Sequence, residues 1–277
     1  MILKKNIFCK SNIKKFLNFL KLYYLFDFLR KYRLFKYKYH HPYIKLRYKV
    51  GTVRNPVHNF LNEEKFLHLV KSIKKRISYL PTGKWEEISN LHHSSIVNYI
   101  YKEDYVSIKK MLSNPLSNDL MNGFDNLAKS LRSKLRIETI TENDLAADHF
   151  FALAEYLGLV QYQSPESLVS PIRESVDISP IIEMIIQKVF KRNIFFPNIY
   201  KGEKGISTKF GIASLRVPAA IYQAIQTKKY GNKICEIGAG LGRTAYFANL
   251  LGVKKYTIVD IPIPSLVQGY FLVNSLP

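Results

Sequence analysis

The 277-residue sequence predicts an α/β protein in which a helical N-terminal region leads into the first part of an open parallel sheet. Two observations carry this prediction. Residues 233–260 pass from a short apolar run through a glycine-rich loop and a helical pattern to a second apolar run that ends in Asp260. Residues 61–192 instead repeat apolar side chains at helical spacing. A hydrophobic content of 47% indicates a chain that buries a core.

Positive charge is concentrated at the N-terminus. Residues 1–54 contain 15 Lys and Arg against one acid, Asp27, and so carry +14 of the net charge of +21. Aromatic side chains are interleaved with these cations, and residues 14–35 have the apolar spacing of a helix. We therefore delimit residues 1–60 as a basic aromatic arm.

Three interpretations of this arm stay open. It packs as a helix on the rest of the protein, it binds an anionic membrane surface through residues 1–54, or it contacts nucleic acid. Nucleic acid is disfavoured, because the chain is rich in Lys, Ile, Asn, Tyr and Phe together. That bias is typical of an AT-rich genome and accounts for much of the lysine excess.

The cysteines indicate a reducing compartment. Cys9 and Cys235 are too far apart to suggest a metal site or a disulfide framework. The apolar residues 16–29 are interrupted by Lys21 and Asp27 and are shorter than the roughly 20 residues that span a bilayer. We expect a cytoplasmic protein, peripheral at the inner face of the membrane if the arm binds lipid. Cys235, inside a predicted strand, is expected to be core.

The helical region, residues 61–192, begins with three predicted helices. Asn62 is a candidate N-cap for a helix that runs to about residue 80. Residues 93–112 and residues 117–135 also have helical periodicity. An Asn-Pro pair separates these two segments and favours a break there.

The rest of this region contains two more helices. Thr141 with Asp144 resembles a capping box and opens a helix that stops at Gly158. Residues 165–180 are predicted to be irregular, and residues 181–190 to form a short helix.

A β-leaning connector and a lead-in helix make up residues 193–229. Residues 194–196 and 206–212 are rich in β-branched and aromatic side chains and suggest a hairpin or an extended connector. Residues 218–227, which start with a proline, are predicted to form the helix that delivers the chain to the glycine loop.

Residues 230–277 contain the candidate ligand site. Where a strand turns into a helix, glycine lets an adenosyl group lie against the backbone and permits positive φ. The N-terminus of the following helix presents N–H groups and partial positive charge. Asp260, at the end of the second strand, can accept hydrogen bonds from ribose hydroxyls. This order of elements is the nucleotide-binding opening of a Rossmann-like sheet.

Two cofactor classes use this arrangement. A dinucleotide site has G-x-G-x-x-G/A, but here the sixth position is Arg243. Glu236 lies two residues before the first glycine, and E-x-G-x-G-x-G resembles the first motif of S-adenosylmethionine-dependent methyltransferases. The resemblance implies that Glu236 faces the methionine amino group and that Asp260 binds the ribose. It also implies that the methionine and adenosyl portions are lined by Gly238, Ala239, Gly240 and Gly242. Dinucleotide binding, or a glycine turn without a cofactor, remain alternatives.

The last 60 or so residues carry a narrower resemblance. The sequence Gly-Arg-Thr-Ala-Tyr at 242–246, Asp-Ile-Pro at 260–262 and Tyr-Phe-Leu at 270–272 are similar to the sugar O-methyltransferases of surface-polysaccharide gene clusters. Arg216 and Tyr222, in the lead-in helix, fit the same family. The resemblance implies S-adenosylmethionine as cofactor and a sugar or glycan as methyl acceptor.

Other candidate groups are weaker. Adjacent histidines such as His92 and His93 do not share a helix face, so no metal site is predicted. Asp148 beside His149 suggests an acid–base pair, but sequence neighbours on a helix rarely meet, and no catalytic residue is assigned. Arg216 and Arg243 are either ligand contacts or solvated side chains.

The family resemblance implies a longer sheet than this sequence supplies. After Asp260 the sequence predicts one more helix, and it ends at Pro277. We therefore expect an inactive or incomplete fragment, truncated at its C-terminus, or a chain that another polypeptide completes. Two parallel strands bury little surface, so we also expect the isolated chain to fold poorly in its last third and to bind cofactor weakly or not at all.

Two other functions stay open. One is a nucleic-acid methyltransferase or binding module, which the charge favours. The other is a non-catalytic partner at a membrane surface, built on the basic arm.

Overall fold

A computed structural model of the protein describes residues 44–56, 63–78, 82–122, 142–160 and 174–276. Nearly all of them belong to one compact unit, Leu46–Ser170 with Ser175–Pro277. Of a second unit, only residues 44, 45 and 174 are described. The predicted helix at 14–35, Cys9 and most of the proposed membrane-binding arm lie outside the described residues.

Helices dominate the described residues of this mixed α/β chain. They are α1 Glu63–Lys74, α2 Lys84–Ile88, α3 Ser94–Lys102, α4 Tyr105–Ser113, α5 Glu142–Tyr156, α6 Ile178–Phe190, α7 Arg216–Tyr230, α8 Arg243–Leu250 and α9 Pro262–Ser275. A π-helical turn, Ser89–His93, joins α2 to α3, and two 3₁₀ turns, Pro115–Ser117 and Asp119–Met121, follow α4.

The strands are short and form three small sheets. They are β1 Ile44–Arg47, β2 Val50–Thr52, β3 Glu174–Asp177, β4 Lys204–Thr208, β5 Gly211–Ala213, β6 Lys233–Ile237 and β7 Lys255–Val259. β1 pairs with β3, and β2, β4 and β5 form an antiparallel sheet in that order. β6 and β7 pair in parallel, with Lys233 opposite Lys255 and Ile237 opposite Val259.

The helix predicted from Asn62 to about residue 80 is present as α1 but is shorter than expected. Phe66, Val70 and Ile73 are buried along α1, as the apolar spacing predicts. The helix ends at Lys74 instead of about residue 80, and the N–H of Arg76 bonds to the carbonyl of Ile73 in a tight final turn. The candidate cap Asn62 lies outside the described residues.

The single helix expected at residues 93–112 is two helices. Glu103 adopts left-handed backbone angles, with φ +57°, and ends α3. Asp104 then caps α4, because its carboxylate accepts a hydrogen bond of 3.0 Å from the N–H of Ser107. Apolar periodicity continues across this break, so it does not reveal the change of direction. Of the helix expected at 117–135, residues 117–122 contain 3₁₀ turns and the remainder lies outside the described residues.

The helix predicted to stop at Gly158 is confirmed as α5. Gly158 has φ +67°, and the N–H of Leu159 bonds to the carbonyl of Ala154. Thr141 lies outside the described residues. The expectation of irregular structure at 165–180 is wrong over its described end, which contains β3 and the start of α6. Asp177 caps α6 by accepting from the N–H of Ser179.

The β-leaning connector forms a hairpin, and both of its arms come mainly from the predicted segment 206–212. β4 and β5 are its arms, and they meet at residues 209–210. Residues 194–196 are not a strand; the N–H of Phe196 bonds instead to the carbonyl of Phe210. The predicted lead-in helix is α7, which begins at Arg216.

Cys235 is exposed, so the prediction that it belongs to the core is wrong. Along β6 and β7 burial alternates, and the face that carries Cys235 also exposes Ile237 by 83% and Val259 by 51%. A parallel strand is normally covered on both faces, and the described residues cover only one face of this pair.

Helix packing places the glycine loop beside α7. α7 and α8 pack against each other, α5 contacts α6 and α7, and α9 contacts α1. Phe247 on α8 and Phe271 on α9 are almost fully buried. Within the described ranges, every helix is too short or too polar to cross a bilayer.

Candidate functional site

The loop after β6 has the backbone that its glycines predict. Gly238, Gly240 and Gly242 have φ of +71°, +57° and +89°, all in the left-handed region. The N–H of Gly238 bonds to the carbonyl of Val259, and the N–H of Gly242 bonds to the carbonyl of Ala239. These bonds tie the loop to the end of β7 and turn it tightly into α8.

An open cleft of about 270 Å³ lies between this loop and the start of α7. Four of the six predicted cofactor residues line it: Glu236, Gly238, Ala239 and Gly240. Gly242 and Asp260 do not. Gly242 precedes α8, and a Cβ placed on it would lie 3.4 Å from the side chain of Leu272.

Gly238 shows that a ligand can approach the backbone. A Cβ built on this glycine would meet no neighbouring atom within 4 Å, so the space in front of it is open. The residue lines the cleft, and its positive φ disfavours any side chain. At Gly238 the wall of the cleft is therefore bare backbone, as close contact with a ligand requires.

Glu236 presents a carboxylate to the cleft. Its Oε2 accepts a hydrogen bond of 2.8 Å from the hydroxyl of Tyr256, and among the described residues no donor serves Oε1. Burial raises the pKa of Glu236, the Tyr256 hydrogen bond opposes that shift, and the nearby charge of Asp260 adds to it. A cation bound beside Glu236 would lower this raised pKa, because it stabilises the ionised carboxylate.

Asp260 lies at the carboxyl end of β7 and is already hydrogen-bonded. Its Oδ1 accepts from the N–H of Ile261 at 2.9 Å, and its Oδ2 accepts from Nε2 of Gln268 at 2.6 Å. Each carboxylate oxygen has a second lone pair. The half-buried Asp260 can therefore still accept hydrogen bonds from a ligand.

Gln268 was not predicted as a site residue. It is 3% exposed, and its Nε2 also donates to the carbonyl of Gly240 at 2.8 Å. One feature of the sequence could have identified Gln268 as a site residue. It is a polar residue within the apolar helix α9, and a buried glutamine needs a hydrogen-bond partner. Sequence spacing could not identify that partner.

The far wall of the cleft belongs to α7 and α8. The hydroxyl of Thr244 donates to Oε1 of Gln223 at 2.7 Å and joins the two helices. Arg216, the first residue of α7, also lines the cleft and is exposed.

The interpretation of Arg243 as a solvated side chain is wrong. Arg243 is 9% exposed, and its Nη2 lies 2.9 Å from Oε1 of Glu203. Its guanidinium also lies 6.0 Å from the centre of the Phe271 ring. The side chain runs along the edge of the cleft and is held in place by these contacts.

The other candidate groups lie away from the cleft. Burial lowers the pKa of His93, and the neighbouring His92 lowers it further. Burial raises the pKa of Asp148 to about 7, and the charge of Asp144 adds to the shift. Neither Asp148 nor His149 lines the cleft. Across the described residues, no group of three or more His, Cys, Asp or Glu could hold a metal ion.

Comparison of the chain with protein-family models, with curated proteins and with solved structures finds no match. The function is therefore inferred from the chemistry of the site.

Proposed function

We propose that this chain carries the cofactor-binding part of a Rossmann-like, S-adenosylmethionine-dependent O-methyltransferase. The observation that carries the proposal is that Glu236 and the bare backbone at Gly238 open onto one cleft at the carboxyl end of a parallel strand pair. In open α/β sheets, this is the edge where ligands bind.

Each part of the cofactor has a chemically matched group nearby. The carboxylate of Glu236, which lines the cleft and has one oxygen without a donor among the described residues, suits the methionine ammonium. Gly238 and Gly240 suit close contact with the adenosyl portion. Asp260, at the end of the neighbouring strand, suits the ribose hydroxyls. A cleft of about 270 Å³ is slightly smaller than the roughly 300–1,000 Å³ of complete small-molecule sites, as expected of a site built from one side.

Arg243 favours this cofactor over a dinucleotide. The last glycine of a dinucleotide fingerprint allows the helix to pack closely on the strand. Here the equivalent position carries a large side chain that is buried against Glu203. A preceding acid and an arginine at this position together fit the methyltransferase motif better.

The proposed acceptor is a sugar or glycan, and this step rests on the resemblance of residues 242–246, 260–262 and 270–272. The cofactor supplies an already activated methyl group, so the protein has to position the acceptor hydroxyl and accept its proton. No described residue is assigned to that proton transfer. We further propose that a completing polypeptide supplies it.

The test is binding of S-adenosylmethionine to the 277-residue chain, measured by saturation-transfer NMR with NAD as the competing candidate. The described parallel sheet has two strands, so we expect weak binding, with a dissociation constant on the order of 1 mM. NAD should bind more weakly than S-adenosylmethionine. Absence of any S-adenosylmethionine signal, or stronger binding of NAD, would contradict the proposed function. Micromolar affinity would support the function and contradict only the expected weakness.

A further inference from the structure

One side-chain amide bridges the two parts of the candidate site. Nε2 of Gln268 lies 2.8 Å from the carbonyl oxygen of Gly240 and 2.6 Å from Oδ2 of Asp260. A glutamine amide nitrogen has two hydrogens, so both are committed to these acceptors. The glycine loop and the acid at the end of β7 are thereby held by the same atom.

The position of Gln268 on α9 makes this bridge rigid. α9 begins two residues after Asp260, and Gln268 lies almost two turns along it. Side chains on a helix lean toward its N-terminus, which brings this amide back to the strand end. At 3% exposure the glutamine side chain is held by packing, and its two hydrogen bonds are partly buried.

The bridge also orients the peptide between Gly240 and Leu241. The carbonyl and the N–H of a trans peptide point in opposite directions. Fixing the Gly240 carbonyl on Gln268 therefore directs the Leu241 N–H away from α9, and Leu241 lines the cleft.

We propose that Gln268 is a positioning residue that sets the separation between the ribose-binding carboxylate of Asp260 and the glycine loop. This inference rests on the proposed function. Gln268 does not line the cleft, so it acts through Asp260 and Gly240. Because Gln268 positions the carboxylate of Asp260, we expect loss of Gln268 to affect the recognition of the ribose hydroxyls specifically.

The experiment compares adenosine with 2′,3′-dideoxyadenosine, which lacks the hydroxyls, on the full 277-residue chain by saturation-transfer NMR. The wild-type chain should prefer adenosine by about tenfold, since hydrogen bonds to a charged carboxylate are involved. Gln268→Met keeps the length and volume but donates no hydrogen bond, and should reduce this preference to near one. Asn274→Leu is the matched control: Asn274 is 4% exposed on the same helix, but its amide bonds to the carbonyl of Tyr270. It should keep the preference.

A second variant tests the hydrogen bond itself. Gln268→Glu places a carboxylate against Asp260, so the preference should be lost at high pH. As the pH falls, one of the two carboxyl groups takes up a proton and can donate to the other, and the preference should recover relative to the wild type. The variant remains informative if Gln268→Met does not fold.

The outcomes separate the two proposals. If the wild-type chain gives no S-adenosylmethionine signal, the proposed function fails, and this inference fails with it. If the chain binds S-adenosylmethionine but shows no preference for adenosine, only this inference fails. If the wild-type chain prefers adenosine but Gln268→Met keeps that preference, or Gln268→Glu shows no recovery at low pH, only the role of Gln268 is overturned.

Discussion

The guanidinium of Arg243 lies 2.9 Å from the carboxylate of Glu203, and each side chain is only 10% exposed. Glu203 immediately precedes β4, and Arg243 is the first residue of α8, so the pair joins the hairpin sheet to the helix of the glycine loop. Each charged group loses its hydration on folding, so each needs the opposite charge of its partner to offset that cost.

Loss of Glu203 is expected to destabilise the chain strongly. Glu203→Ala leaves the buried guanidinium without this counter-charge, and should lower the free energy of unfolding by about 3 kcal/mol in urea titrations. Glu183→Ala is the control, because its 2.6 Å ion pair with Lys209 is exposed and should contribute at most about 1 kcal/mol. Equal losses for the two variants would show that burial of the Arg243 pair has no energetic consequence.

Gly238→Ala and Gly252→Ala should lose similar stability, but only Gly238→Ala should lose ligand binding. The positive φ at Gly238 makes a side chain unfavourable by about 1–2 kcal/mol, and the new methyl would enter the cleft. We expect this variant to lose its S-adenosylmethionine signal in saturation-transfer NMR. Gly252→Ala has the same kind of backbone, with φ +81° and open space around its Cβ, but does not line the cleft. It should cost similar stability and leave binding unchanged, whereas binding by Gly238→Ala at the wild-type level would contradict the proposed site.

Cofactor affinity should depend on pH through Glu236. Burial raises the pKa of this carboxyl above its ordinary value of 4.5, and only the ionised form attracts the methionine ammonium. Affinity for S-adenosylmethionine should therefore be complete above the raised pKa and should fall as the pH falls through it. 5′-Methylthioadenosine, which lacks the amino acid portion, should bind without this dependence. Glu236→Gln should weaken S-adenosylmethionine about tenfold or more and abolish its pH dependence; an identical pH profile for both ligands would exclude the assigned role.

The free energy of unfolding should fall as the pH rises, because Asp148 has a higher pKa in the folded chain than in the unfolded chain. Burial, helped by the charge of Asp144, raises its pKa from 3.8 to about 7 in the folded chain. Between these two values the folded chain holds a proton that the unfolded chain releases, so the stabilisation is complete below about pH 4 and is lost by about pH 7. Asp148→Asn, which cannot ionise, should be more stable than the wild type above about pH 7 and should show a flatter profile. Thermal melting of both proteins across this range measures the difference, and parallel profiles would refute the assignment.

The sequence predicted the local elements around the glycine loop well. β6, α8, β7 and α9 all occur in the predicted order, and the loop glycines have the positive φ expected of them. These features depend on neighbours within a few residues: apolar runs, glycines and helix-end signals. The break at Glu103 escaped prediction because a non-glycine residue adopts left-handed angles there without a distinctive sequence signal.

Exposure could not be predicted in the same way. Cys235 lies in a correctly predicted strand, yet faces solvent, because exposure depends on which layer covers each side of the sheet. A short apolar strand has the same sequence whether one face or both are covered.

By itself, the sequence determined that a glycine-rich turn joins a strand to a helix, with Glu236 before it and Asp260 at the end of the next strand. Tertiary structure decided which polar side chains meet there: Glu203 with Arg243, Gln223 with Thr244, and Gln268 with Gly240 and Asp260. The physical reason is that backbone conformation follows from residues close in the chain. A buried hydrogen bond between distant residues instead depends on the packing that removes both partners from water.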